Sequence, residues 1–170
     1  MAPLSDVSSI VVMGPSGAGK SLVGAAVAAR LRVPFVDGDD LHPAANVAKM
    51  RAGRPLDDAD RMPWLDAVGL VLARQAPVVV ACSALRRAYR DRLRAAAPDA
   101  RFVELVVPTA ELGQRMSRRD HFMPPALLDS QLATLEPLAT DEAGFRVAND
   151  AGLDAVVERI TTLLRGQFLR

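Results

Sequence analysis

The chain has 170 residues, 50% of them hydrophobic and 24% charged, with a net charge of +1. That length suits a single core burying roughly two thirds of the unfolded surface, and the near-zero, interspersed charge gives no footprint for nucleic acid or an acidic membrane surface. One cysteine, Cys82, excludes an internal disulfide; Met1 to Ser9 lacks the pattern of a secretory signal, and no apolar run approaches the roughly 20 residues that span a bilayer, so a cytoplasmic small-molecule protein is expected.

Ile10-Val11-Val12-Met13 is a short continuous apolar run, the form of a central parallel strand covered on both faces. It leads into Gly14-Pro15-Ser16-Gly17-Ala18-Gly19-Lys20-Ser21, which satisfies G-x-x-x-x-G-K-[ST] at every fixed position. Leu22, Val23, Val27 and Leu31 then recur at helical spacing, so the loop opens a helix. Strand, glycine loop and helix N-terminus together make a phosphate cradle, because backbone N–H groups and the positive end of the helix dipole converge on one spot. Lys20 is placed to reach the β and γ phosphates of a nucleotide, and the Ser21 hydroxyl to bind Mg²⁺.

Pro34-Phe35-Val36 reads as a second strand with Asp37-Gly38-Asp39-Asp40 at its C-terminal tip. Ligands bind beyond the carboxyl ends of strands in open α/β sheets, so these acids share a crevice with the phosphate loop. Phosphoryl transfer to a hydroxyl needs a carboxylate that orients the acceptor and another that helps hold Mg²⁺. On an extended segment Asp37 and Asp39 would point the same way.

Residues 40 to 66 are polar and rich in special residues, with helices expected near 43 to 52 and 62 to 74. Pro43 and Pro63 suit their first turns. His42 stands three residues past Asp39, near the expected acceptor site, and Trp64 reads as a packing anchor. Nineteen of the 21 basic residues are arginine, so the two lysines, Lys20 and Lys49, stand out; a retained lysine points to a compact charge where a guanidinium fork does not fit.

Pro77 to Cys82 is the third strand, followed by Ser83-Ala84-Leu85 and the basic residues Arg86, Arg87 and Arg90. Cys82 stands where many phosphate-loop proteins carry an aspartate for the metal, which leaves Asp37 as the nearest carboxylate, and Cys82 itself reads as a small buried hydrophobe. Phe102 to Val107 is the fourth strand, with Thr109 expected to cap the next helix. That helix ends in Arg115, Arg118 and Arg119 before His121-Phe122-Met123-Pro124-Pro125, a placement from which a guanidinium could neutralise charge on a transferring phosphoryl group. Residues 126 to 135 read as helix, Phe145 to Ala148 as a last strand, and Leu153 to Leu164 as an amphipathic closing helix. Strands alternating with helices imply a doubly wound α/β sheet in one domain, residues 1–170.

These residues resemble the gluconokinases of the P-loop kinase class, relatives of shikimate and nucleoside monophosphate kinases. Beyond the phosphate loop, the resemblance rests on Asp37-Gly38-Asp39 with Leu41-His42-Pro43, Asn46 with Lys49-Met50, Gly53 with Pro55-Leu56, and Asp57 to Arg61 with Pro63-Trp64-Leu65. Cys82-Ser83-Ala84-Leu85 with Tyr89-Arg90-Asp91, His121 to Pro124, Ser130-Gln131 and Thr134-Leu135-Glu136 complete it. It implies a three-layer P-loop fold with five parallel strands in order 2-3-1-4-5. It also implies ATP- and Mg²⁺-dependent phosphorylation of D-gluconate at its 6-hydroxyl, in a cytoplasmic homodimer. About 40 to 75 would receive the acceptor and about 116 to 130 would form a lid.

By the same resemblance, Asp39 is the base or orienting carboxylate, and Asp37 a group that reaches Mg²⁺ through water beside Ser21. His42, Lys49, Arg61, Ser83 and Arg90 are gluconate-site residues. Arg115 is a nucleotide contact, and Arg119 touches the transferring phosphate. Topology puts the adenine loop near Val147 to Asp150. Two other readings stand beside this one: a kinase for another small polyol or acid, such as shikimate, and a nucleotide-dependent regulatory module. The second lacks an Asn-Lys-x-Asp guanine signature.

Overall fold

The computed structural model describes residues 7–118, 124 and 126–168. Five strands, β1 (Ile10–Met13), β2 (Phe35–Asp37), β3 (Val79–Ala81), β4 (Arg101–Val106) and β5 (Gly144–Ala148), form one parallel sheet in the order β2-β3-β1-β4-β5. The helices are α1 (Lys20–Leu31), α2 (Ala44–Arg51), α3 (Asp58–Arg74), α4 (Arg87–Ala96), α5 (Thr109–Ser117), α6 (Ala126–Thr134) and α7 (Leu153–Phe168). The strand order implied by the family resemblance is the one observed.

Alternation along the strands divides the core into two layers. Ile10, Val12, Val79, Val103 and Val147 face α1 and α7, where Val23, Val27, Val156, Ile160 and Leu164 are buried. Val11, Met13, Val78, Val80 and Phe102 face α3 and α4, meeting Trp64, Leu65, Val68, Leu72, Tyr89 and Leu93. Every residue of β1 is buried, which is why that strand reads as an unbroken apolar run.

Several boundaries differ from the sequence expectation for identifiable reasons. Helix α3 begins at Asp58, not near 62, because Asp57 and Asp60 form a reciprocal capping box. Pro63 therefore lies inside the helix rather than at its start. Pro43 is the N-cap of α2, and Pro108 is that of α5, so Thr109 is the first helical residue of α5 and caps nothing. The chain after Asp37 does not stay extended: Gly38–Leu41 is a 3-10 turn, and the Asp37 carboxylate accepts the Asp39 N–H at 3.0 Å.

Candidate active site

At the carboxyl edge of β1 the phosphate loop closes over the start of α1. Gly14, Gly17 and Gly19 adopt φ of 147°, 83° and 92°, the left-handed side of backbone space that a side chain would strain. Lys20 Nζ donates to the Pro15 carbonyl at 3.0 Å. Ser21 Oγ donates to Asp37 Oδ2 at 2.5 Å, so the expected metal pair, Ser21 and Asp37, is brought together across the sheet edge. Both are hard oxygen donors beside a phosphate cradle, a set that fits Mg²⁺, whose remaining ligands come from phosphates and water.

One crevice joins this loop to the tip of β2 and to α3. Lys20, Asp39, His42, Arg61 and Ser83 line it, together with Ser16, Met50, Leu56, Trp64 and Gln131. Asp39 arrives there because Gly38 lets the turn ride against β3. A Cβ on Gly38 would stand 2.4 Å from the Ala81 carbonyl oxygen. The buried Trp64 donates its indole N–H to the Gly38 carbonyl at 2.7 Å and stacks on His42, ring centroids 4.2 Å apart. Trp64 is thus a packing anchor that also fixes the turn carrying Asp39.

Arg61 is seated on Tyr89, donating to its hydroxyl at 3.0 Å, and the hydroxyl in turn donates to Asp58 at 2.5 Å. Burial first, and the charge of Arg61 second, hold His42 down at about 4, so its ring is neutral at pH 7. Burial pushes the Cys82 thiol up to about 12, which leaves it an inert apolar filler as the sequence suggests.

Two expected acceptor residues do not line this crevice. Arg90 is fully buried: its Nε and one terminal nitrogen hold Glu142 at 2.7 and 2.8 Å, and the other terminal nitrogen donates to the carbonyls of Ala84 and Glu136. It braces the loop that displays Ser83, where Ala84 sits at φ 44°, a strained value for a residue with a Cβ. Lys49 turns to Asp60 at 2.5 Å, with Asp57 at 3.8 Å. Its hydrogen bond to Asp60 is the main cause that holds that carboxyl below its ordinary range. The compact charge inferred from its being a lysine serves this pair.

On the nucleotide side, Arg115 reaches the phosphate loop, donating to the Gly17 carbonyl at 3.3 Å and the Asn149 carbonyl at 3.1 Å, while Glu111 holds its other edge. Arg119 lies outside the described residues, as do His121 to Met123 and Pro125 of the expected lid.

Three residues to which the sequence reading gave no bracing role hold the site together. Gln131 accepts the Ser16 N–H of the phosphate loop at 2.7 Å from 115 residues away. Asn149 Nδ2 donates to the Ala18 carbonyl at 2.8 Å, closing the same loop from β5. Asn46, buried on α2, contacts His42 and the Asp60 carbonyl. Their only signal in sequence was membership of the family motifs or position at a strand tip.

A phosphate cradle, a lysine, a serine–carboxylate pair and a polar acceptor crevice on a 2-3-1-4-5 sheet define a P-loop kinase of small molecules. A family model described as an AAA domain matches residues 10–138. A gluconokinase of Gluconobacter oxydans is 47% identical over 156 residues, covering 89% of this chain and 88% of that protein. The crystal structure of a gluconokinase from Sinorhizobium meliloti 1021 superposes with a TM-score of 0.87 at 47% identity, over 95% of this chain and 94% of that one. A shikimate kinase from Bacteroides thetaiotaomicron shares the fold, with a TM-score of 0.71 at 22% identity, over 93% of this chain and 98% of that one. The chain belongs to the gluconokinase family.

Proposed function

We infer that the protein transfers the terminal phosphoryl group of ATP to the 6-hydroxyl of D-gluconate, giving 6-phospho-D-gluconate. The observation that carries this reading is the pairing of charges in one crevice. Among its described lining residues the cations are Lys20, on the phosphate loop, and Arg61, on the acceptor side, with Asp39 as the carboxylate. A sugar acid presents a carboxylate for Arg61 and a terminal hydroxyl for Asp39, which a neutral sugar does not match at both ends.

The chemistry is an in-line transfer in which positioning and electrostatics do the work. The loop backbone and Lys20 hold the phosphates and stabilise charge that builds on the transferring group. Asp39 orients the acceptor hydroxyl and takes its proton. His42, Arg61 and Ser83 hold the remainder of the acceptor, and Arg115 lies against the nucleotide side of the loop. Ser21 and, through water, Asp37 would hold Mg²⁺, which supplies charge neutralisation between the phosphates.

The length and charge of the chain support a single domain without nucleic-acid or membrane partners, and the family resemblance supports the rest. In a single domain, residues 40 to 75 receive the acceptor. A lid over residues 116 to 130, carrying Arg119, closes over ATP and excludes water. The enzyme works in the cytoplasm as a homodimer without nucleic-acid or membrane partners, and light scattering on the purified protein tests the dimer. Among the described residues no helix is long and apolar enough to cross a membrane.

A coupled assay of ADP release with Mg²⁺-ATP, run against gluconate, shikimate and free sugars, tests the activity. Strong stimulation by gluconate alone is expected. Stimulation by shikimate or a free sugar instead would keep the kinase core and overturn the acceptor assignment.

A further inference from the structure

The His42 ring is constrained on two sides. One face stacks on Trp64 with the planes 15° apart, and Nδ1 lies 3.3 Å from Nδ2 of Asn46. The same Asn46 nitrogen donates to the Asp60 backbone carbonyl at 2.9 Å. A carbonyl oxygen only accepts, so this second contact decides which end of the Asn46 amide is the NH₂ group. Reversing the amide would set two carbonyl oxygens against each other inside a residue that is only 5% exposed. With NH₂ facing it, Nδ1 must accept, and the ring proton resides on Nε2.

We propose that Asn46 is a positioning residue for acceptor recognition, locking His42 in the Nε2–H form so that the ring offers one hydrogen-bond donor to a hydroxyl oxygen of the acceptor. This deepens the acceptor assignment above and rests on it. Arg61 then takes the acceptor carboxylate and His42 a chain hydroxyl, and two-point holding decides which end of a polyhydroxy acid faces Asp39. The lowered His42 pKa agrees with a ring that donates without carrying charge beside Arg61.

The chain has two histidines, His42 and His121, so ring-nitrogen NMR on histidine-labelled protein reads the state directly, with His42→Gln assigning the signals. At pH 7 the wild-type His42 ring is expected to carry its proton on Nε2 alone. In Asn46→Asp the carboxylate accepts instead of donating, and a proton appears on Nδ1. A wild-type ring protonated on Nδ1, or an Asn46→Asp ring with unchanged signals, overturns the proposal.

Kinetics supply the second arm. Asn46→Asp and Asn46→Ala raise the gluconate KM about tenfold, the worth of one hydrogen bond, and leave the ATP KM unchanged. His42→Gln, whose amide nitrogen stands where Nε2 stood, retains a lower gluconate KM than His42→Asn. Equal losses in those two, or an ATP KM that rises in step, would mean a merely structural role. Should gluconate fail as an acceptor altogether, the functional reading falls, while the NMR result still decides the tautomer lock.

Discussion

The phosphate loop takes its curve from three glycines at positive φ and the Lys20–Pro15 contact within eight consecutive residues. Distant groups close it from outside, Gln131 on the Ser16 N–H, Arg115 on the Gly17 carbonyl and Asn149 on the Ala18 carbonyl. The acceptor wall, facing it across the same crevice, is held by side chains from distant elements. Trp64 grips Gly38, Arg61 rests on Tyr89, and Arg90 ties Ala84 to Glu142 across separations of 26, 28 and 52 residues. A cradle whose curve is set by its own backbone depends less on its distant contacts than a wall positioned by such contacts alone, which shares its stability with the whole fold. Mutations in the first should therefore cost chemistry, and mutations in the second should cost folding or acceptor affinity.

The largest expected effect lies under the acceptor wall. Glu142 receives Arg90 twice, Arg94 at 2.9 Å and the Ala139 N–H, and its side chain is wholly buried. Glu142→Ala leaves the Arg90 guanidinium buried without its counter-charge, at a cost of about 3–5 kcal/mol. Thermal unfolding measures it, and a loss under about 1 kcal/mol would show that the wall is not coupled to the fold.

Lys20→Ala is the opposite case. It should lower kcat on the order of 10² or more by removing transition-state charge stabilisation, with the unfolding midpoint little changed. Near-normal turnover would remove Lys20 from the chemistry. Asp39→Asn, at the junction of the two regions, should depress kcat and leave ATP affinity nearly intact.

Acid separates the regions by a different route. Burial pushes the Glu142 carboxyl up, but the hydrogen bonds from Arg90, Ala139 and Arg94 outweigh it and hold the group at about 2 instead of 4.5. The folded protein therefore binds fewer protons than the unfolded chain between those values, and this stabilisation, complete above about pH 4.5, is lost as pH falls toward 2. His42 acts in the same sense between 6.5 and about 4, where the unfolded chain takes a proton that the folded protein refuses. Melting temperature should fall from pH 6.5 downward, and His42→Gln should flatten the upper part of that decline. An unchanged slope in the variant would show that His42 is not held neutral by the fold.

The same contrast explains what was legible in the sequence. The cradle is written in consecutive residues, the strands show as apolar runs whose burial on both faces leaves a plain pattern in β1 and β3, and their order came with the family resemblance. Arg90 was expected at the acceptor because a basic residue near family motifs looks like an anion contact, whereas its guanidinium is placed on Glu142. Its acid partner, Glu142, lies in a segment with little motif signal. Lys49 is likewise paired with an acid, Asp60, which the capping box turns back to meet it. Gln131 and Asn149 were invisible as loop closers because their partners, Ser16 N–H and Ala18 carbonyl, are backbone groups, and backbone groups have no identity in a sequence.

Trp64→Phe gives the smallest effect and the closest test of how the two regions meet. Phenylalanine keeps an aromatic face for His42 but cannot donate to the Gly38 carbonyl, which is left without its 2.7 Å partner. A buried carbonyl left unpaired costs about 1–3 kcal/mol, so stability should drop by less than in Glu142→Ala. The Gly38 carbonyl, however, belongs to the turn that carries Asp39, packed so closely on Ala81 that it has little room to relax elsewhere. A loosened turn misplaces the carboxylate relative to the acceptor, so the gluconate KM should rise a few-fold while the ATP KM stays constant. If the ATP KM rises equally, the loosening has passed through Asp37 to Ser21, and the phosphate loop is less self-sufficient than its backbone geometry implies.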